Sequence, residues 1–175
     1  NPDKNCQAIG AMMRCHWITN GDKQYYLKSD GVMAANEIVE IFEDDSYYTY
    51  RFDKNGWLVT GWYQEEDDSW YYYDKDGRVL GGVQTVGGSK YYFDTDGLMM
   101  TEISAVFDGI LYYFGASGKA EKQINLQTDG WKQTPNGWYY VKNGKILRDE
   151  MITVNGYTYY LGYDGSMATN TIYTH

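Results

Sequence analysis

Glycines that close short polar turns fall at Gly31, Gly56, Gly77, Gly97, Gly118, Gly144 and Gly165, separated by 25, 21, 20, 21, 26 and 21 residues. A recurrence near that period marks a chain assembled from small supersecondary units, each of which needs its neighbours to bury an apolar face. Six residues before the glycine stands an aromatic: Tyr25, Tyr50, Tyr71, Tyr91, Tyr112 and Tyr159. Two residues after it stands an apolar residue: Met33, Leu58, Val79, Met99, Ala120, Ile146 and Met167. The Gly144 unit is one residue shorter, with Tyr139 and Tyr140 taking the aromatic places. Each unit is expected to read strand, tight turn, strand, with Asp-Gly, Asn-Gly or Ser-Gly supplying the positive φ of a hairpin turn. The expected fold class is all-β, a tandem β-hairpin solenoid of about seven hairpins over residues 17–175, preceded by residues 1–16 as an N-terminal cap segment.

Side chains on a strand alternate between faces, so positions counted back from the glycine can be sorted. Positions six and four are large and apolar, as in Tyr71 and Tyr73 or Tyr91 and Phe93, and are assigned to the core. Position seven varies: Gln24, Thr49, Trp70, Lys90, Leu111, Thr158, with Trp138 in the short unit. Position five is aromatic throughout except for Arg51. Where the next unit begins stand Trp62, Val83, Ile103, Ile124 and Met151, with Trp131 reached after the longer connection Gln123 to Gly130. Tryptophan occurs at this place together with tryptophan at position seven, in the pairs Trp62 with Trp70 and Trp131 with Trp138. Trp17 is a half case, with Gln24 where the second indole would stand. Joint presence and joint absence point to two indoles that form one site; packing alone does not require the positions to change together.

The strings GWYQEEDDSWYYYDKDG (Gly61 to Gly77) and GWKQTPNGWYYVKNG (Gly130 to Gly144) resemble the choline-binding or cell wall-binding repeat of Gram-positive surface proteins. The stretch QTVGGSKYYFDTDGLMMT (Gln84 to Thr101) resembles repeats of glucan-binding domains and clostridial toxin receptor-binding domains. The likeness extends over roughly Trp17 to Ile172. It implies a left-handed superhelix of stacked hairpins with aromatic cages between consecutive ones, each closing on a quaternary ammonium. Carried onto this chain, one cage is Trp62, Trp70 and Tyr92 and the other is Trp131, Trp138 and Tyr160. The third members follow from placing position five on the same face as position seven.

A trimethylammonium group has no hydrogen to donate, and indole faces offer it apolar contact and a negative quadrupole, worth about 2 kcal/mol per desolvated contact. A single cage then gives roughly millimolar affinity, and adhesion requires several sites on one polymer. The chain carries 15 Lys and Arg against 24 Asp and Glu, a net charge of -9. That balance disfavours nucleic acid or an anionic membrane and mildly favours a cationic group. If the partner is teichoic acid, itself anionic, recognition must rest on its choline decoration. No apolar run approaches the ~20 residues of a membrane span.

Other chemistry finds little support. The Asp74 to Gly77 and Asp94 to Gly97 strings lack the terminal glutamate of a calcium loop and read as turns. The acidic run Glu65 to Asp68 reads as a solvated surface beside Trp62 and Trp70. With His16 and His175 the only histidines, neither a catalytic triad nor a zinc cluster is indicated, so no catalytic residue, metal or cofactor is expected. Cys6 and Cys15 are either a disulfide that caps the first hairpin or two free thiols. The segment Ile38 to Phe52 is expected to add a strand pair, and Gln123 to Gly130 to be an extended connection. The reading is a non-catalytic, secreted or cell-surface module for choline-decorated or other cell-wall polymers. The alternatives are a module for glucan or host oligosaccharide and a structural stalk attached to an enzyme.

Overall fold

In a computed structural model, residues 14–169 are described, and every regular element among them is a strand. The expected cap segment lies almost wholly outside the described residues, as does Cys6; Cys15 is disulfide-bonded. The strands are β1 His16–Asn20, β2 Lys23–Leu27, β3 Glu37–Glu43, β4 Ser46–Phe52, β5 Gly61–Gln64, β6 Trp70–Tyr73, β7 Gly82–Val86 and β8 Ser89–Phe93. They continue with β9 Ile103–Phe107, β10 Ile110–Phe114, β11 Ala120–Asn125, β12 Gly130–Thr134, β13 Gly137–Lys142, β14 Lys145–Ile146, β15 Glu150–Val154 and β16 Tyr157–Leu161. Successive antiparallel pairs give seven small sheets, with β11 added beside β10 and β14 beside β13. Segment Ile38 to Phe52 is the hairpin of its own unit rather than an added pair, and Gln123, Ile124 and Asn125 of the connection expected at Gln123 to Gly130 belong to β11.

The hairpin turns do not sit where the recurring glycines suggest. Most ladders close across a different two-residue turn, with positive φ at both places in Asp44-Asp45, Gly87-Gly88, Asp108-Gly109 and Asn155-Gly156, which suits the right-handed twist of the flanking strands. The recurring glycines have positive φ too, but they close the turn after each second strand. Across five of them only one bridge forms: Leu27 with Met33, Phe52 with Leu58, Tyr73 with Val79, Phe93 with Met99 and Leu161 with Met167. At Gly118 and Gly144 the outgoing segment is long enough to be β11 and β14.

The reason the outgoing segment is so short lies in its bonds to the preceding hairpin. The residue two past the glycine donates its N–H to the position-seven carbonyl of that hairpin: Leu58 to Gln24 at 2.8 Å, Val79 to Thr49 at 3.2 Å, Met99 to Trp70 at 2.8 Å and Met167 to Trp138 at 2.7 Å. The Leu58 and Val79 side chains then lie under the next recurring glycine, as Ile146 does under Gly165. A Cβ on Gly77 would stand 2.6 Å from Leu58 Cδ1, and one on Gly165 the same distance from Ile146 Cγ2. Glycine is required there by close packing as well as by φ.

The chain forms two compact units: the described residues up to Gly82 with Phe93–Met99, and Val83–Tyr92 with Met100 onward. In the first, Tyr26, Ala34, Ile41, Tyr50 and Phe52 pack as a core with Trp17 and Leu58 against it. In the second, the core is Leu111, Leu126, Tyr139 and Val141. Position four is the most consistently buried place, with Phe52, Phe93, Phe114 and Leu161 all at 0% exposure. The expected open opposite face is partly covered: Tyr26, Arg51 and Tyr113 at position five and Leu111 at position seven are buried. Arg51 replaces an aromatic and is held by Glu65 at 2.8 Å, by the Tyr63 hydroxyl and by Asn36. Glu65 is therefore half of a partly buried ion pair and not a solvated surface acid. Asp67 accepts from the Ser69 N–H and Asp68 from Gln64, which fixes the rest of that turn.

Candidate functional site

Register places the two tryptophan pairs on common faces. Strand β12 pairs with β13 so that Trp131 faces Tyr140 and Gln133 faces Trp138; β5 and β6 set Trp62 opposite Tyr72 and Gln64 opposite Trp70. Alternation then puts both indoles of a pair, diagonal to each other, on the same side as the position-five tyrosine of their own hairpin. The ring centroids lie 6.4 Å apart at 88° for Trp131 and Trp138, and 6.1 Å apart at 81° for Trp62 and Trp70. In each hairpin the position-five tyrosine braces the first indole edge-on, Tyr140 at 5.1 Å from Trp131 and Tyr72 at 5.2 Å from Trp62.

The third wall of the Trp131 pocket is Tyr159, 4.9 Å from Trp131 and tilted by 72°, not the expected Tyr160. Residues 159 and 160 point to opposite sides of β16, and the position-six side is the one turned to Trp131. Tyr160 instead stands opposite Met151 and donates its hydroxyl to Asp149 at 2.7 Å. The pocket has a volume of about 210 Å³ and is lined by Trp131, Trp138, Tyr159 and Met167. Met167 is brought there by its N–H bond to the Trp138 carbonyl. Tyr159 holds a position read as core from sequence and Met167 one read only as apolar; the bond that joins one hairpin to the next brings them to the pocket, and no periodicity within a hairpin signals it.

In their own unit, Trp62 packs against Phe93 at 5.9 Å, and the Met99 N–H bonds to the Trp70 carbonyl. Tyr92, expected as their third partner, belongs to the other unit, where its ring stacks on Phe114 at 5.9 Å. Trp62, Trp70 and Trp138 are 37%, 37% and 40% exposed, unusual for indoles that pack against other rings, and Trp131 is half-buried.

Several aromatic faces are covered by cations of the chain itself: Trp57 by Lys23 at 4.5 Å, Tyr48 by Arg78 at 3.7 Å and Tyr112 by Lys90 at 5.9 Å. Among the described residues none of these pairs involves Trp131, Trp138 or Tyr159. Three rings meeting edge to face, with no internal cation, present their negative quadrupoles to a shared space. Such a space suits a compact cation rich in C–H bonds. Among the described residues no group of three or more His, Cys, Asp or Glu is placed to hold a metal, and no helix is long and apolar enough to cross a membrane.

Comparison with known proteins identifies the repeats. The choline-binding repeat family matches residues 79–122, and the cell wall binding repeat family matches 17–33, 60–78 and 152–167. The second stretch holds Trp62 and Trp70, and the third holds Tyr159 and Met167. Glucosyltransferase-S of Streptococcus downei is 32% identical over an alignment of 154 residues that covers 75% of this chain and 11% of that protein. The chain thus spans only about a tenth of that relative. Among solved structures, CbpJ of Streptococcus pneumoniae TIGR4 is similar with a TM-score of 0.52 and 29% identity over 89% of this chain and 48% of that one. Choline binding protein F of Streptococcus pneumoniae gives 0.53 and 26% over 90% and 52%.

Proposed function

We propose, for a chain that belongs to the choline-binding, cell wall-binding repeat family, that the pocket of Trp131, Trp138, Tyr159 and Met167 takes a quaternary ammonium group such as choline displayed on a cell-wall polymer. The observation that carries this reading is the set of three rings, Trp138 and Tyr159 each edge-on to Trp131, with no cation of the chain paired with them. A trimethylammonium head fills such a space without leaving a donor unpaired, and Met167 closes it with a polarisable apolar wall. The Trp62 and Trp70 pair repeats the two-indole geometry, with Met99 bonded to the Trp70 carbonyl as Met167 is to Trp138, and is assigned the same ligand. One site supplies about 4 kcal/mol, millimolar binding. Two sites on one polymer gain from effective concentration, which makes a surface decorated with many such groups the natural target.

The chain acts in this reading as a binding module at the cell surface. The likeness to a glucosyltransferase supports a second reading, in which some units contact glycan. Choline titrated calorimetrically into the chain, and then into Trp138→Ala and Trp70→Ala, tests the leading reading. Each substitution is expected to remove one site. Undiminished stoichiometry in both variants rules the assignment out.

A further inference from the structure

The two indole pairs share one more residue type. Opposite the position-seven indole stands a glutamine in both hairpins, Gln64 across from Trp70 and Gln133 across from Trp138. Where position seven is not an indole, the residue opposite is Thr19, Glu40, Val106 or Thr153, and the Lys90 ammonium donates to Thr85. The glutamine therefore comes and goes with the indole pair, and a merely solvated strand position has no need to follow it.

Alternation puts each glutamine on the same face as the indoles, two residues past Trp62 or Trp131 on the same strand. Directly opposite residues hold their Cβ atoms ~4.5–5.5 Å apart, so Gln133 stands beside Trp138, with Trp131 next to it on its own strand. The four side chains of the face form a square, with the indoles on one diagonal and the position-five tyrosine and the glutamine on the other. The tyrosine braces the first indole, and the glutamine takes the corner nearest the hairpin turn. Gln133 is exposed, and its side chain makes no hydrogen bond among the described residues. Gln64 is exposed too and gives an amide N–H to Asp68 at 3.1 Å, which leaves the second N–H for a ligand.

The walls Trp131, Trp138, Tyr159 and Met167 suit a charge spread over methyl groups, and any quaternary ammonium of that size satisfies them. What marks choline is the oxygen two carbons from the nitrogen, a hydroxyl in the free molecule and an ester oxygen on a polymer. Buried among the rings that oxygen would lose its water without replacement, so it belongs at the rim, where the glutamine stands. An amide N–H donates to a hydroxyl oxygen and to an ester oxygen alike, whereas a carboxylate has no donor and an ammonium repels the cation. We propose that Gln64 and Gln133 are specificity-determining residues, each donating an amide N–H to the oxygen of the choline held beside it. The inference rests on the choline reading of the two indole pairs and adds the group that tells choline from other quaternary ammonium ions.

The test uses the full chain labelled with 15N and reads the indole N–H signals of Trp70 and Trp138, assigned through Trp70→Phe and Trp138→Phe. The probes are choline, propyltrimethylammonium, which has a methyl group in place of the hydroxyl, and glycerophosphocholine, which carries the oxygen as an ester. In the unsubstituted chain choline is expected to bind about fivefold tighter than propyltrimethylammonium at both signals, the worth of roughly one hydrogen bond. Gln133→Leu should weaken choline and glycerophosphocholine by that factor at Trp138 alone and leave propyltrimethylammonium binding there unchanged; Gln64→Leu should do the same at Trp70. Three results would overturn the proposal while the cages stand: choline no tighter than propyltrimethylammonium in the unsubstituted chain, an equal loss of all three probes in the variants, as a mere prop for the indole would give, or an ester that the substitutions leave unaffected. If neither choline nor propyltrimethylammonium moves either signal, the choline reading itself falls and the proposal with it.

Discussion

Replacing Gly77 by alanine tests how one hairpin is joined to the next, because Leu58, whose N–H bonds to the Gln24 carbonyl, also lies beneath that glycine. Gly77 has φ +80, and an added Cβ would stand 2.6 Å from Leu58 Cδ1. The left-handed conformation costs an alanine about 1–2 kcal/mol, and forcing a methyl into the contact costs about 1–3 kcal/mol more, for a total of about 2–5 kcal/mol. Gly21 supplies the control: its φ is +63 and nothing lies within 4 Å of an added Cβ, so Gly21→Ala should cost only the ~1–2 kcal/mol of the backbone term. Leu58→Ala supplies the second control, since it empties the space the new methyl enters. In that background Gly77→Ala should fall to the cost seen at Gly21, a coupling of at least ~1 kcal/mol. Urea denaturation of the four variants, followed by far-ultraviolet circular dichroism, gives each value. Equal losses at Gly77 and Gly21, or a Gly77 loss that Leu58→Ala leaves unchanged, would refute the joint described here.

Three other outcomes are expected. Trp138→Ala, at a site already 40% exposed, releases roughly 100 Å² of apolar burial and costs at most about 2.5 kcal/mol, whereas Phe93→Ala, at 0% exposure, costs about 3–5 kcal/mol; thermal denaturation ranks the two, and the reverse order would contradict the assignment of faces. Glu65→Gln leaves the Arg51 guanidinium short of its anion and is expected to cost about 2–4 kcal/mol, reduced from a fully buried pair because Glu65 retains some exposure; a variant as stable as the parent in urea would show that the ion pair contributes nothing. Burial pushes the Tyr50 hydroxyl up to about 12 and Tyr73 higher still, against about 10 in the unfolded chain, so the folded state keeps protons the unfolded state has lost; stability present below pH ~10 should decline as pH rises through 12, and less so in Tyr50→Phe, as followed by tyrosinate absorbance and unfolding at each pH.

Much of this was legible in the residues, and the parts that were not share one cause. The recurrence of Gly31 through Gly165 located the units, and alternation placed Trp70 on one side with Tyr72, as the register shows. The hairpin turns were misplaced although Asp108-Gly109 and Asn155-Gly156 are strong signals for a two-residue turn; the longer-range regularity of the other glycines competed with them. Tyr159 and Met167 were hidden as pocket walls because the bond from Met167 to the Trp138 carbonyl joins different hairpins, and a pattern read within one hairpin carries no record of which side the next one turns toward it. Glu65 looked like a surface acid because its partner, Arg51, lies 14 positions away on another hairpin.

The claim at the centre is that Trp131, Trp138 and Tyr159 recognise a cation through their ring faces. The direct measurement is calorimetric titration of the chain with choline and, in parallel, with 3,3-dimethyl-1-butanol, which has the same shape and no charge. Choline should bind at about millimolar Kd and roughly tenfold or more tighter than the alcohol, the ~1.4 kcal/mol or more expected of cation–π contact, and Trp138→Ala should narrow that gap. Equal binding of the two, or no binding of choline at all, would contradict the account.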